Sequence, residues 1–481
     1  MSANYDLIVI GNSHAGICAA IEAARLKARV ALISQQTLTS SGLNLLDVHV
    51  LREIGQFLWQ IRQAEQIGIW SSAGSLQTRW LEFTSQWAKG ISETIATFYS
   101  PAVLSSSGIE VIEGQGEFCR KPKPGFMVNG RYLRSRAYLL ATGCRPVIPD
   151  IDGLETLSYL TTATLLQKAH FLKPSSSLVI IGADPVGVEL AQTLTKAGAQ
   201  VIIITPAAHL LPNEDIETVH LIQAQLEAEG VRVFTRTSVT QVRQIQEKKW
   251  VQAGNQAIET DEILLATGWE PDVSSLNLEA VDLRPNSLGI QVNPKLQTSN
   301  PRIYACPGLS DRHYIPHLAV AQAKVALKNA LFFPILTMND HNIPVVIHTN
   351  PELARVGLTE HQAVEQYGKD VVILRQAFQT LTRAQIRGET TGFCKFILRR
   401  SGKILGAQIV GAQAGEMIGA IALAMQRRLH IQTLAKVVYP SATFAEIISQ
   451  TAHQWNRLRL ERSPGLQDCL EGFFDFRRSQ L

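Results

Sequence analysis

The alternation of apolar and polar positions predicts one structural plan written twice, followed by a different one. A short apolar run, Leu7-Ile8-Val9-Ile10, has the length and branching of a buried parallel strand. It enters the turn Gly11-Asn12-Ser13-His14-Ala15-Gly16, then an alanine-rich helical segment at 17–26 and an apolar strand at 30–33. The same order returns later. Leu178-Val179-Ile180-Ile181 leads into Gly182-Ala183-Asp184-Pro185-Val186-Gly187, a helical segment at 188–197 and a strand at 201–204. Two more apolar runs share an ending, Ala141-Thr142-Gly143 and Ala266-Thr267-Gly268.

Between these units a polar loop is expected at 35–42. Apolar spacings of three and four then predict helices at 43–69 (Leu46, Val50, Ile54, Phe57, Leu58, Ile61) and 78–104 (Trp80, Phe83, Trp87, Ile91, Ile95, Phe98). A strand at 108–112 and a hairpin-like turn, Pro122-Lys123-Pro124-Gly125, follow. Further helices fall at 214–230 and 315–331. From about residue 343 the pattern changes. Strands at 345–347, 371–374, 393–398 and 404–410, with helices at 415–427 and 444–460, read as an α+β domain without a further glycine-rich turn.

A length of 481 residues suits about three domains, and 46% hydrophobic with 18% charged residues suits a large buried core. The net charge of +4 is too small for this length to argue for nucleic acid binding. The N-terminal apolar run is only strand-length and carries Asp6 beside it, so neither a signal peptide nor a membrane span is expected. The six cysteines, Cys18, Cys119, Cys144, Cys306, Cys394 and Cys469, form no CxxC or CxxxxC pair. They read as reduced, mostly buried thiols of a cytoplasmic protein. The histidines show no metal spacing, and no metal site is expected.

A strand–turn–helix unit of this kind aims a helix N-terminus at a dinucleotide pyrophosphate. Gly11 permits the sharp turn and Gly16 the close packing of helix on strand. Two positions depart from that chemistry. Ser13 stands where a middle glycine lets backbone approach phosphate, and Ser34 where an acid binds a ribose. In the second unit Asp184 and Thr205 stand at the same two places, and the residues after Thr205 supply no arginine cluster for a 2′-phosphate. A carboxylate at position 184 opposes the field that attracts phosphate. The architecture is legible; the binding signature is altered.

The order of motifs resembles the class I flavoprotein disulfide reductases, the pyridine nucleotide-disulfide oxidoreductase group that includes dihydrolipoamide dehydrogenase, glutathione reductase and mercuric reductase. Thr349-Asn350-Pro351-Glu352-Leu353-Ala354-Arg355-Val356-Gly357-Leu358-Thr359-Glu360 is similar to the family's TxPExAxVGxTE. Gly392-Phe393-Cys394-Lys395 and Ala414-Gly415-Glu416 follow in register, and Tyr439-Pro440 looks like mercuric reductase. The resemblance implies an α/β fold with two Rossmann-like domains, one inserted in the other, plus a C-terminal α+β dimerisation domain. It places an FAD-type domain at 1–150 and 271–340, an NAD(P)-type domain at 151–270 and the dimerisation domain with a helical tail at 341–481. Gly11, Ser13, Gly16, Thr142 and Gly143 would then line the FAD site, and Gly182, Gly187 and Gly268 the NAD(P) site.

The resemblance implies that the family's dithiol should lie in the segment from Gln35 to Arg52, QQTLTSSGLNLLDVHVLR, which holds no cysteine. The position of its catalytic histidine is Ser441, ahead of Glu446, and Pro307-Gly308 replace a Gly-Asp that meets the flavin ribityl chain. Mercury capture is not expected either, because the C-terminus holds only Cys469. No catalytic residue is therefore assigned. FAD is implied by the resemblance, and NAD(P)H is not expected to bind. Two readings stay open. One is a homodimeric pseudoenzyme, able to bind a protein partner or form a heterodimer. The other is a flavoenzyme passing electrons from NAD(P)H directly to an acceptor such as a quinone.

Overall fold

The computed structural model describes residues 4–35, 44–66, 80–120, 124–165, 176–286, 289–310 and 313–480. All but Gln35 of the loop expected at 35–42, together with Pro122-Lys123 and Asp311, lies outside them. The chain divides into two units, residues 1–212 with 226–339, and residues 213–225 with 340–481.

In the first unit a five-stranded sheet runs in the order Ile303–Ala305, Ser135–Leu140, Tyr5–Ile10, Val30–Ser34, Ile109–Glu113. Every pairing is parallel, with Leu7 opposite Val30 and Ala137. Parallel strands need crossovers, and the helix His14–Arg25 is the first of them. Side chains alternate across the sheet. Leu7 and Val9 pack with Ala20, Ala23 and the helix Pro316–Leu331 on one face. Ile8 and Ile10 pack with Phe118, Phe126 and Tyr138 on the other. All four strand residues are fully buried, each worth about 1.5–3 kcal/mol of hydrophobic transfer.

The second sheet repeats the plan: Arg232–Phe234, Gln200–Ile204, Ser177–Ile181, Glu262–Leu265, Leu160–Thr161, again all parallel. Its crossover helix is Pro185–Lys196. An antiparallel sheet of Val239–Ile245, Lys248–Ala253 and Gln256–Thr260 was not expected from the sequence, since Gln, Lys and Glu dilute its alternation. The two Ala-Thr-Gly endings meet in a short antiparallel ladder, Cys144–Pro146 against Trp269–Pro271.

Two expectations need correction. The helix expected at 78–104 is two helices, Trp80–Phe98 and Pro101–Ser106, because Pro101 cannot continue the first and starts the second. The stripe that predicted the helix at 78–104 is partly exposed, a matter its spacing left open: Thr84 and Ala88 are buried, whereas Phe83, Trp87 and Phe98 are about half or more exposed. The cysteines are not mostly buried. All six are free, but only Cys306 and Cys394 are buried and Cys469 is exposed.

The second unit is built on a five-stranded antiparallel sheet, Val345–Ile347, Glu352–Gly357, Ile404–Gly411, Phe393–Arg399, Val371–Ala377. The helices Ala414–Gln426 and Glu446–Glu461 cover it. Lys395 is fully buried and its Nζ lies 2.8 Å from Asp215, 3.1 Å from Glu360 and 3.6 Å from Glu217. A buried ammonium is tolerated only with such partners. Lys395→Met leaves Asp215 buried without its counter-charge and is expected to cost about 3 kcal/mol, lowering the midpoint of this unit by roughly 5–10 °C. Thermal melting followed by circular dichroism checks it, and an unchanged midpoint would show that the cluster adds no stability.

Candidate dinucleotide sites

The first turn joins the strand Tyr5–Ile10 to its crossover helix. Gly11 has φ +103°, and a Cβ there would lie 2.4 Å from Thr142 Cα and 2.5 Å from the Ala141 carbonyl oxygen. A Cβ on Gly16 would lie 2.4 Å from the Gly11 carbonyl oxygen. The structure thus brings Gly11, Gly16 and Thr142 together, and packing alone demands both glycines. Ser13 is the helix N-cap, and its hydroxyl accepts from the Gly16 N–H at 3.3 Å. The helix therefore starts at His14, three residues earlier than the apolar pattern indicates. Ser34 sits at the end of its strand, buried, and its hydroxyl accepts from the Asn12 amide at 2.9 Å. Both substitutions are neutral and hydrogen-bonded, so neither places negative charge at the helix start.

The second turn has the same backbone and a different charge. Gly182 has φ +104°, and its Cβ would lie 2.1 Å from the Ala266 carbonyl oxygen; that of Gly187 would lie 2.3 Å from Ala266 Cβ. Asp184 is the N-cap, with its Oδ1 accepting from the Gly187 N–H at 2.7 Å. Burial pushes the Asp184 carboxyl up to about 6, opposed by the Gly187 N–H, helped by nearby Glu189 and opposed more weakly by the neighbouring Trp269 side chain. The carboxyl thus occupies one N–H group of the helix start, that of Gly187. Thr205 is buried, and its hydroxyl accepts from the Ala207 N–H at 3.3 Å, which closes a local turn.

Trp269 was not anticipated. The signal was a large aromatic directly after the second Ala-Thr-Gly, where a small-residue turn leaves room. It is 3% exposed and lies 6.0 Å from the Tyr314 ring. Gly308, N-terminal to Tyr314, takes no side chain: a Cβ would lie 2.6 Å from Ala319 Cβ and 3.0 Å from Tyr314 Cε2. Its N–H donates to buried Gln322 at 2.9 Å.

The remaining expected site residues are placed as follows. Gly143 and Gly268 have φ of +80° and +97° and flank the short ladder, where the Gly143 carbonyl accepts from Asp272 and that of Gly268 from Val147. Cys144 donates to the Pro307 carbonyl and Cys306 to that of Leu140, each at 3.4 Å. Burial raises the Cys144 thiol and pushes Cys306 up to about 12, so neither is a thiolate at neutral pH. His14 is exposed, 3.7 Å from the Cys18 sulfur, and burial raises that thiol as well. In the other unit Ser441 is exposed, and Glu446 accepts from the Thr443 N–H at 3.4 Å, a local capping contact. Among the described residues no group of three or more metal-ligating side chains forms.

Two parallel sheets, each with a glycine turn leading into its crossover helix, and an antiparallel sheet in a separate unit make up the fold. The chain belongs to the pyridine nucleotide-disulphide oxidoreductase family. A model of that family matches residues 5–329, and one of its dimerisation domain matches residues 343–452. A mercuric reductase of Lysinibacillus sphaericus is 30% identical over 451 residues, covering 92% of this chain and 81% of that one. A dihydrolipoyl dehydrogenase of Bacillus subtilis (strain 168) is 28% identical, covering 92% and 97%. The solved structure of LpdA from Mycobacterium tuberculosis superposes with a TM-score of 0.83 at 23% identity, covering 93% of this chain and 99% of that one. The HOCl-induced flavoprotein disulfide reductase RclA from Escherichia coli gives 0.80 at 22%, covering 93% and 99%. The family is one of FAD-binding flavoproteins that bind NAD(P), and the dimerisation domain indicates a homodimer. No helix among the described residues is long and apolar enough to cross a membrane.

The raised Asp184 carboxyl has a consequence for stability. Its unfolded value is near 3.8 and its folded value about 6, so the folded state holds the proton more tightly. The penalty for charging it is absent below the unfolded value, grows as pH rises, and is complete above about 6, where it reaches roughly 2 kcal/mol after allowance for the residue's partial exposure. Asp184→Asn keeps an acceptor for Gly187 and removes the titration. The variant is expected to gain stability relative to the parent between about pH 4 and 6.5, checked by denaturant melts across that range. A parallel pH profile for the two proteins would contradict the placement.

Proposed function

We propose that this chain is a homodimeric member of the family without disulfide reductase activity, holding FAD at its first glycine turn and closed to NAD(P)H at its second. The carrying observation is the Asp184 carboxyl bonded to the Gly187 N–H at the start of the second crossover helix. A pyrophosphate entering there would meet a carboxylate in place of free N–H donors, and Thr205 offers the ribose no acid. The first turn suits FAD better: Gly11, Ser13, Gly16, Thr142 and Gly143 surround a neutral helix start, and the serine cap is uncharged. FAD bound there would supply a redox-active isoalloxazine.

The chain has no cysteine between Cys18 and Cys119, which leaves dithiol exchange without its residues. Ser441 cannot replace a histidine base, and Glu446 is engaged by its own turn. On this reading the protein is a pseudoenzyme of the reductase line, a dimeric flavin-holding or partner-binding protein. Six free cysteines support a reducing, cytoplasmic setting. Direct electron transfer from NAD(P)H through FAD to a quinone would need a working nicotinamide site, which Asp184 opposes.

The absorption spectrum of the purified protein tests both halves. A flavin spectrum is expected, present on isolation or gained with added FAD, and unbleached by NADH or NADPH under anaerobic conditions. Bleaching would overturn the closed nicotinamide site; failure to take up flavin would overturn the FAD assignment. Asp184→Gly combined with Thr205→Glu is expected to raise NADH affinity by about tenfold or more, read by fluorescence titration. No gain would mean that these two residues do not close the site.

A further inference from the structure

We propose that the second unit carries an anion site for a small phosphorylated ligand, separate from both glycine turns. A pocket of about 400 Å³ is lined by Arg400, Trp455, Leu458, Arg459, Arg462 and Ser463. Trp455, Leu458, Arg459 and Arg462 are spaced three, four and seven apart, so they share one face of the helix Glu446–Glu461. Arg400 comes from the tight turn between the strands Phe393–Arg399 and Ile404–Gly411. Gly402 of that turn approaches the Trp455 ring, where a Cβ would lie 3.3 Å from Cζ2. Two elements distant in sequence thus contribute three arginines to the lining of one concavity.

The Arg400 charge helps to hold the nearby Asp370 carboxyl below its usual range, after the larger effect of the Arg399 hydrogen bond. Arg457 pairs with Glu461 at 2.9 Å, outside the pocket lining. Asp370, the acid beside the turn, is bonded to the Arg399 side chain and to the Arg400 N–H. Among the described residues no carboxylate forms an ion pair with Arg400, Arg459 or Arg462. Arginines near a helix C-terminus also favour the helix dipole, but that cannot account for Arg400, which lies on a hairpin. Ser463 is the N-cap of the helix Pro464–Ser479, yet its hydroxyl makes no capping bond and remains able to donate. Trp455 is 4% exposed, and its indole N–H is buried without a hydrogen-bond partner. Three planar donors around a polar concavity match a phosphate group, which guanidinium binds through paired N–H donors. The volume exceeds a single phosphate and falls in the range of small-molecule sites. The ligand class is therefore a polyvalent phosphorylated small molecule.

Inorganic pyrophosphate is the probe, titrated calorimetrically into the full-length protein at low salt. Saturable binding is expected, weakened about tenfold or more in Arg400→Ala and in the double variant Arg459→Ala/Arg462→Ala. Arg457→Ala, outside the pocket, should bind as the parent does. The substituted arginines are exposed, and unchanged thermal midpoints establish that the variants fold. Absence of saturable binding would overturn the proposal. Binding that survives all these substitutions would place the anion elsewhere, including at the first glycine turn, and would also overturn it. Citrate binding as tightly as pyrophosphate would overturn the phosphate assignment.

Discussion

The first unit depends on two close backbone contacts. Each crossover helix begins against the end of the neighbouring parallel strand, at 2.4 Å from a notional Gly11 Cβ to Thr142 Cα and 2.1 Å from a notional Gly182 Cβ to the Ala266 oxygen. No side chain fits in that gap, and φ near +100° at both positions excludes most residues besides glycine. The crossover helix, the parallel pairing on either side and the alternation of Leu7, Ile8, Val9 and Ile10 between two cores all follow from it. Retention of Gly11 and Gly182 is therefore a packing requirement. It carries no information about a bound dinucleotide, which frees the ligand-facing positions to change while the fold stays intact.

The ligand-facing positions answer a second constraint. A helix start leaves N–H donors without intrahelical partners, and something must accept from them. In this chain the acceptor is internal in both copies. Ser13 does it with a neutral hydroxyl, Asp184 with a carboxyl that burial disfavours charging. The geometry is nearly the same and the electrostatics are opposite. Trp269 reinforces the second arrangement from the neighbouring strand, and Thr205 completes it by turning its hydroxyl to Ala207. The two copies of one plan thus have different capacities for an anion.

The antiparallel unit holds together by other means. Buried Lys395 gathers three carboxylates from the segment 213–225 and from Glu360, while Phe396, Ile409 and Ile418 fill the core around it. Glu446 keeps the place that the family motif assigns it but bonds to Thr443. Its exposed apolar positions, Val438 at 93% and Leu423 at 57%, suit a domain whose matched family description is dimerisation. The helix Pro464–Ser479 presents Leu466, Leu470 and Phe473 outward, beyond the matched residues.

Most of the architecture was legible along the chain. Buried parallel strands are short continuous apolar runs, and both glycine turns stand directly after them, so periodicity and turn chemistry located both sheets. The absence of cysteine between Cys18 and Cys119 is likewise a matter of residue identity, independent of folding. The polar three-stranded sheet at 239–260 was not legible, because its alternation is diluted on the solvent side. Nor was the direction of the Phe83 and Trp87 stripe, since spacing shows that residues share a face but not what the face meets. Only the tertiary structure decided what Ser13 and Asp184 do, because a cap is a contact between a side chain and a particular N–H. The same holds for Trp269 and Arg400, whose roles arise where distant segments converge.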